Sequence, residues 1–254
     1  MSATPEAWPR PYWQPSDETI VLHFYVFGRF ADELAIPAAR YASAGLPEGV
    51  QLQRFAHAAL RDWEGYPLKG ALGELLKEDA PAAFDLAHAA PDVLVVRGEL
   101  ADRDSLDYLR DTLGVLAGLL DVGGRAILDP QILTLFDPDA WRRHYLVPGG
   151  APPRNHVLIL RHPDEGEGRS HVRTRGLRKF GRPDLSLRHV PDAHAGQAGM
   201  LCERLAELQA LGARFVEGQP MEVEGLPGEL VAHPGGGRDD PQFNNTHVAF
   251  DWPV

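Results

Sequence analysis

Between Ser105 and Val122 the chain spaces Leu106, Leu109, Leu113, Leu116 and Leu120 three or four residues apart. At helical periodicity these five leucines line up as one continuous apolar stripe, which a helix buries against a neighbouring layer. Asp104 or Ser105 is placed to cap the free amides of the first turn, and Asp107 suits its positive end. "DVGG" then ends the helix and "RAILDP" reads as a short strand. In "DPDAWRRHYL" a brief helix starts just after Asp137.

The segments before this helix supply the layer it needs. "TIVLHFYVF" (Thr19 to Phe27) is rich in β-branched and aromatic residues and reads as a buried strand. A helix is expected from about Ala31 to Ala44, with Pro37 an awkward interior residue. "VQLQRFAH" alternates apolar and polar side chains as a half-buried strand does. Short helices at Leu72–Lys77 and Ala82–His88 follow, then a second buried strand, "DVLVVRG". Residues 1–18 hold four prolines with Trp8 and Trp13, which predicts an extended arm whose tryptophans anchor onto the body.

"VPGGAPPR" (Val147 to Arg154) has proline and glycine without apolar periodicity and reads as a linker. Beyond it the pattern restarts with strands "HVLILRH", "SHVRTRG" and "DLSLRHV". A helix from about Ala193 to Leu211 follows, stopping at Gly212. "MEVEG", "ELVAHP" and "HVAFDW" close the chain as short strands. The fold class is α+β: mixed sheets with packed helices, in two subdomains of similar size, 19–146 and 155–254.

Charge and cysteine usage narrow the function. The net charge of −11 disfavours nucleic acid as a partner, since phosphate binding needs a cationic face. The charge is lopsided, with 22 acids against 13 bases in residues 1–146 and 14 against 12 in the rest. An acidic first half steers toward a basic partner, or simply keeps the chain soluble. Cys202 is the only cysteine, so no internal disulfide forms. It sits beside Leu201 and Leu205, in a setting for packing and not for attack. No apolar run is long enough to cross a bilayer, and the first residues lack the basic-then-apolar order of a secretory signal. Together these predict a cytoplasmic protein.

Against that background "RSHVRTRGLRKFGRPDLSLRHV" stands out, with seven basic residues around one acid, Asp184. Arg173 and Arg175 share a strand face. Gly176 and Gly181 bracket "LRKF" and predict turns with positive φ. Pro183 sets the entry to the next strand, with Leu185 and Leu187 inward and Ser186 and Arg188 outward. The segment is a strand–turn–strand with its cations displayed near the turn.

"TRGLRKFGRPDLSL" resembles the T-x-G-(M/L)-x-x-(F/Y)-G-x-P-(D/E)-(L/I) signature of a group of bacterial proteins, domain of unknown function 4261. The matching positions are Thr174, Gly176, Leu177, Phe180, Gly181, Pro183, Asp184 and Leu185. "GGRAILDPQILTLFDPDAW" and the helix before it also look like that group. The resemblance spans residues 90–190 and implies a bacterial, cytoplasmic, mixed α/β protein, with no activity attached.

Arg173, Arg175, Arg178, Lys179 and Arg182 are the candidate ligand- or partner-binding residues, because arginine forks and turn amides suit anions. The alternatives are pairing with acids of the first half, which would dock the two halves, and plain solvation. His162, His171, His189, His194, His233 and His247 crowd the second half, but without H-E-x-x-H or H-x-H spacing, so no metal site and no cofactor is assigned. His247 and Asp251 fall on one strand face. "HPGGGRDDPQFNN" is glycine-rich enough to cradle phosphate but lacks a P-loop ending, and reads as a mobile loop in which adjacent acids cap turns. No catalytic residue is assigned.

Two functions follow. The first is a non-enzymatic cytoplasmic binding protein with a protein partner, in concrete form an immunity-type neutraliser of a basic protein. The alternative is a small-molecule or anion-binding enzyme using the Arg/His-rich C-terminal half. A site lined by the cations favours the alternative; internally paired cations beside an acidic patch favour the first. Neither nucleic acid nor a membrane is an expected partner.

Overall fold

Strand β1 (Ile20–Gly28) is buried along its whole length except for half-buried His23. A run so uniformly apolar is stable only where both faces of its sheet are covered. The computed structural model describes residues 5–147 and 152–253. The chain divides into two α+β units, one of Met1–Pro9, Val21–Leu100 and Ser105–Ala151, the other of Arg10–Ile20, Ala101–Asp104 and Pro152–Val254. Of the expected linker at 147–154, residues 148–151 lie outside the described residues.

In the first unit β1 is followed by β2 (Val50–Ala56), α1 (His57–Arg61), α2 (Gly70–Asp79), α3 (Pro81–Ala89) and β3 (Asp92–Leu100). Then come α4 (Asp107–Asp121), β4 (Gly124–Asp129), β5 (Thr134–Phe136) and α5 (Pro138–Tyr145). The sheet order is β2-β3-β1-β4-β5. Tyr25 and Phe27 pair with Leu128 and Ala126, and this face packs beneath Leu76 of α2 and Ala83 and Ala87 of α3. On the opposite face Phe24 meets Trp141 of α5 edge-on at 6.0 Å. Asp137 caps α5 as expected, accepting from the Asp139 and Ala140 amides at 2.9 and 2.8 Å.

Helix α4 is buried nearly all round and not along a single stripe. Its two glycines explain this. A Cβ on Gly114 would lie 2.4 Å from Ser43 Cβ, and one on Gly118 would lie 2.8 Å from Ile36 Cγ2. The 36–43 segment therefore presses its backbone against α4, where Ser43 Oγ donates to the Asp111 carbonyl at 2.7 Å. The helix expected over 31–44 is consequently only a 3-10 turn, Ala38–Tyr41. Pro37 has no amide to continue a helix, and contact with α4 takes precedence over local propensity. Helix α4 also starts later than expected, at Asp107. Ser105 Oγ accepts the Asp107 amide at 3.3 Å, while the Asp107 carboxylate accepts the Trp8 amide at 2.8 Å.

The second unit holds β6 (Leu158–Pro163), β7 (Arg169–Arg175), β8 (Asp184–Pro191), α6 (Ala195–Ala210), β9 (Pro220–Met221), β10 (Leu230–Val231), β11 (His233–Gly235) and β12 (His247–Asp251). Its main sheet has the order β11-β12-β8-β7-β6. Only β8 and β12 run parallel. The strand expected in "MEVEG" shrinks to the two-residue β9, paired with β10; Gly225, at φ +86°, turns the chain away. "HVLILRH" becomes a strand only from Leu158, because Pro153–His156 forms a 3-10 turn. One face of the main sheet, with Val172, Leu185, Leu187, Val248 and Phe250, is buried with Ala198, Leu201, Cys202 and Leu205 of α6.

The N-terminal arm enters this unit through a charge and not through its tryptophans alone. Asp102 Oδ1 lies 2.8 Å from Arg10 and 3.0 Å from Arg182, and all three side chains are almost wholly enclosed. Trp13 Nε1 donates to the other carboxylate oxygen at 3.0 Å. Arg10 also donates to the carbonyls of Phe180, Gln209 and Ala210, and Arg182 to those of Gln14, Gly212 and Ala213. Several of these carbonyls belong to the negative C-terminal end of α6, which suits cations. Asp102→Ala leaves two guanidinium groups buried around no anion. It is expected to lower stability in urea unfolding by about 3–5 kcal/mol. A loss below about 1 kcal/mol, the scale of an exposed pair, would show that Asp102 does not hold the arm.

Candidate functional site

The Thr174–Leu185 signature builds a turn. Gly176 and Gly181 have φ of +117° and +59°, and Leu177–Phe180 between them is a 3-10 turn. Leu177 and Phe180 are fully buried. The Asp184 carboxylate is buried too, and it accepts hydrogen bonds from Thr174 Oγ1 at 2.9 Å, the Leu177 amide at 3.3 Å and Asn245 Nδ2 at 2.9 Å. Thr174 Oγ1 in turn accepts the Leu185 amide at 2.8 Å. Burial pushes the Asp184 carboxyl up from its ordinary range, while Asn245, Thr174, Leu177 and the Arg175 charge pull it back. Gly176→Val, forced into a backbone region that β-branched residues resist, is expected to lose more than about 1 kcal/mol of stability in thermal or urea melts.

The five candidate cations do not form one displayed cluster. Lys179 is wholly enclosed, with Nζ donating to the His156 carbonyl at 3.2 Å. Arg182 belongs to the enclosed group around Asp102. Arg178 donates to the Asn244 carbonyl at 3.1 Å. Arg173 donates to the Gln242 carbonyl and, at 3.3 Å, to His162 Nε2. Arg175 feels the charge of Asp184. Arg175 and Arg178 thus find these partners within their own unit. Arg182 takes an acid from the first half of the sequence, but Asp102 is itself part of the second unit.

Arg173 and Arg175 do share a face, the one turned away from α6. Strand pairing sets Leu160, Arg173, Ser186, Ala249 and His233 in a row across all five strands. On one side of that row His162 pairs with His171. On the other, Leu158 pairs with Arg175, and His247 pairs with Asp184. This polar face is roofed by the loop after β11. Phe243 stacks on His247 at 4.3 Å and 20°. The Arg173 guanidinium lies 5.3 Å from the same ring, and His171 meets it edge-on at 6.3 Å. Ser186, expected to point outward, does so but is fully buried beneath this cover.

His171 Nε2 and Ser186 Oγ are 2.8 Å apart, an arrangement of base and hydroxyl that sequence reasoning missed. The alternation of Arg169, His171, Arg173 and Arg175 along β7 was the available signal. Two buried nitrogens of the face, Arg175 Nε and His247 Nδ1, have no hydrogen-bond partner among the described residues. In the roofing loop Asp240 Oδ1 caps a turn by accepting the Gln242 amide at 2.8 Å. The loop is anchored at its end, because Asn245 donates to Asp184 and to the Arg182 carbonyl. His189 and His233 lie to the side, bonded to Asp251 and Glu217 at 3.0 and 2.8 Å. His194 bonds Gln197.

Burial lowers the His171 pKa to about 4, helped by the Arg188, Arg173 and His162 charges and opposed by Asp164. The unfolded chain therefore takes up a proton near pH 6.5 that the folded imidazole refuses until about pH 4. Through that window stability falls as pH falls. His57, His162 and His247 are lowered in the same direction. His171→Asn is expected to reduce, without abolishing, the drop in melting temperature between pH 7 and about pH 4.5. An equal drop in both proteins would rule His171 out as a contributor.

The Cys202 thiol is enclosed, and burial pushes its pKa up, away from nucleophilic character. Among the described residues no three metal-ligating side chains gather, and no helix is long and apolar enough to cross a membrane. The comparisons find no family model, no curated protein and no solved structure that matches the chain.

Proposed function

We propose that the second unit binds an oxyanion, a phosphate or a carboxylate, on the polar face of its sheet. The observation that carries this is the pair of buried nitrogens on Arg175 and His247, both without a hydrogen-bond partner among the described residues and set on strands flanking β8. Buried polar groups are nearly always hydrogen-bonded, so two such groups on one face favour a bound acceptor. Arg173 and exposed Arg188 add positive charge, and guanidinium groups match the geometry of oxyanions. Binding of inorganic phosphate and of acetate, followed by calorimetry, is expected to weaken at least about tenfold in Arg175→Gln. Arg204→Gln, an exposed cation of α6 on the other side of the sheet, is expected to bind as wild type does. Equal affinity in wild type and Arg175→Gln would remove the reading.

A second reading, a basic protein partner, is favoured by the outer side of the helical layer at residues 57–89. There Asp62, Glu64, Glu74, Glu78, Asp79 and Asp85 are exposed together with Trp63, Leu75 and Leu86. Acidic side chains around exposed aromatic and aliphatic groups suit a basic surface, and a neutralised basic protein would be one such partner.

A further inference from the structure

Phe243 occupies an unusual seat. It is the only buried residue between Ala232 and Asn245. Most phenylalanines pack among aliphatic groups, yet this ring is held by the planar faces and edges of His247, Arg173 and His171. Those groups grip any π system, because the electron-rich face of a ring attracts a guanidinium and stacks on imidazole.

The segment carrying the ring is lightly fixed. Gly235, Gly236 and Gly237 precede it, and residues 233–242 are exposed apart from half-buried Asp240. Gly236 is a required glycine: φ is +71°, and a Cβ there would come within 2.5 Å of His247 Nδ1. The two ties nearest the ring, from Arg173 to the Gln242 carbonyl and from Arg178 to the Asn244 carbonyl, use neutral acceptors. An oxyanion attracts a guanidinium more strongly than a carbonyl does.

We propose that this site takes an aromatic or heteroaromatic ring carrying an oxyanion, and that Phe243 is the side chain such a ring displaces. The inference rests on the oxyanion reading above and adds the ring. The oxyanion lies toward Arg175 and His247 Nδ1, and the ring enters the seat between Arg173 and His247. The loop at 236–244 is then a lid that swings away from its Asn245 anchor when the ligand arrives. Displacing Phe243 weakens the observed affinity by the fraction of molecules in which the seat is open.

Phenyl phosphate and methyl phosphate test this, since both are monoesters and only one has a ring. Phe243→Ala is expected to bind phenyl phosphate at least about tenfold more tightly than wild type, with methyl phosphate changed by less than about twofold. Phe243→Leu, which keeps an apolar anchor for the lid, is expected to show the same preference more weakly. In wild type, hydrogen exchange at 236–244 is expected to quicken clearly more with phenyl phosphate than with methyl phosphate. If both esters bind equally in all three proteins, and exchange of the lid is unchanged, the ring seat is wrong. If methyl phosphate binding depends on Arg175 while the ring adds nothing, the ring seat alone fails and the oxyanion reading stands. If neither ester binds any of the proteins, both fail.

Discussion

Asp102 sets one negative charge between two guanidinium groups that water barely reaches, and the second unit is assembled around it. Arg10 brings in the arm at residues 10–20, Arg182 brings in the turn before β8, and carbonyls at the end of α6 accept from both. A buried ion pair contributes little net stability over an apolar equivalent, but removing one member is severe. Two arginines sharing one acid add a further demand, because the excess positive charge is tolerable only where many carbonyls converge. Four chain segments supply them, at Gln14, at Arg103, at Phe180 and at the end of α6, so the group fixes which segments meet.

That arrangement positions the candidate site one step away. Arg182 is held from below by Asp102, and its own carbonyl accepts from Asn245. Asn245 also donates to Asp184, which gathers Thr174 and the Leu177 amide. A continuous set of hydrogen bonds thus runs from the buried charges through the glycine turn to the end of the roofing loop. Phe243 sits two residues before Asn245. The placement of its ring over Arg173 and His247 follows from an anchor at one end of the loop, with a glycine-rich and exposed stretch at the other.

Much of this architecture was legible where periodicity is local. The strands at 20–28, 92–100 and 169–175, the leucine helix, the Asp137 cap and the two positive-φ glycines all follow from neighbouring residues. What escaped depended on distant contacts. Nothing near Pro37 announces Gly114 and Gly118, whose missing side chains draw that segment flat against α4. Nothing among the prolines of the arm marks Arg10 as the partner of an acid 92 residues away. The candidate site was half legible. Arg173 and Arg175 alternate visibly along β7, but Lys179 within the 3-10 turn and Arg182 just after it turn inward. Phe243 was hidden because a lone aromatic among glycine, aspartate and asparagine reads as part of a loop.

The two faces of the second sheet are covered by different means, and the difference bears on function. Helix α6 covers the apolar face with many side chains, so opening it would expose a core. The polar face is covered by the loop after β11, with the Phe243 ring set against it. Beneath that ring His171 stays neutral at neutral pH, because burial disfavours its charged form and a third positive charge beside Arg173 and Arg188 is unfavourable there. The face therefore keeps its arginines without adding imidazolium repulsion between them. Partial enclosure also lowers the local dielectric, which strengthens the pull of Arg173 and Arg175 on any anion that enters. The carbonyls of Gln242 and Asn244 satisfy the neighbouring guanidinium groups without neutralising them. Guanidinium charge held by neutral carbonyls in this way stays available to an anion, which is the property the proposed oxyanion site uses.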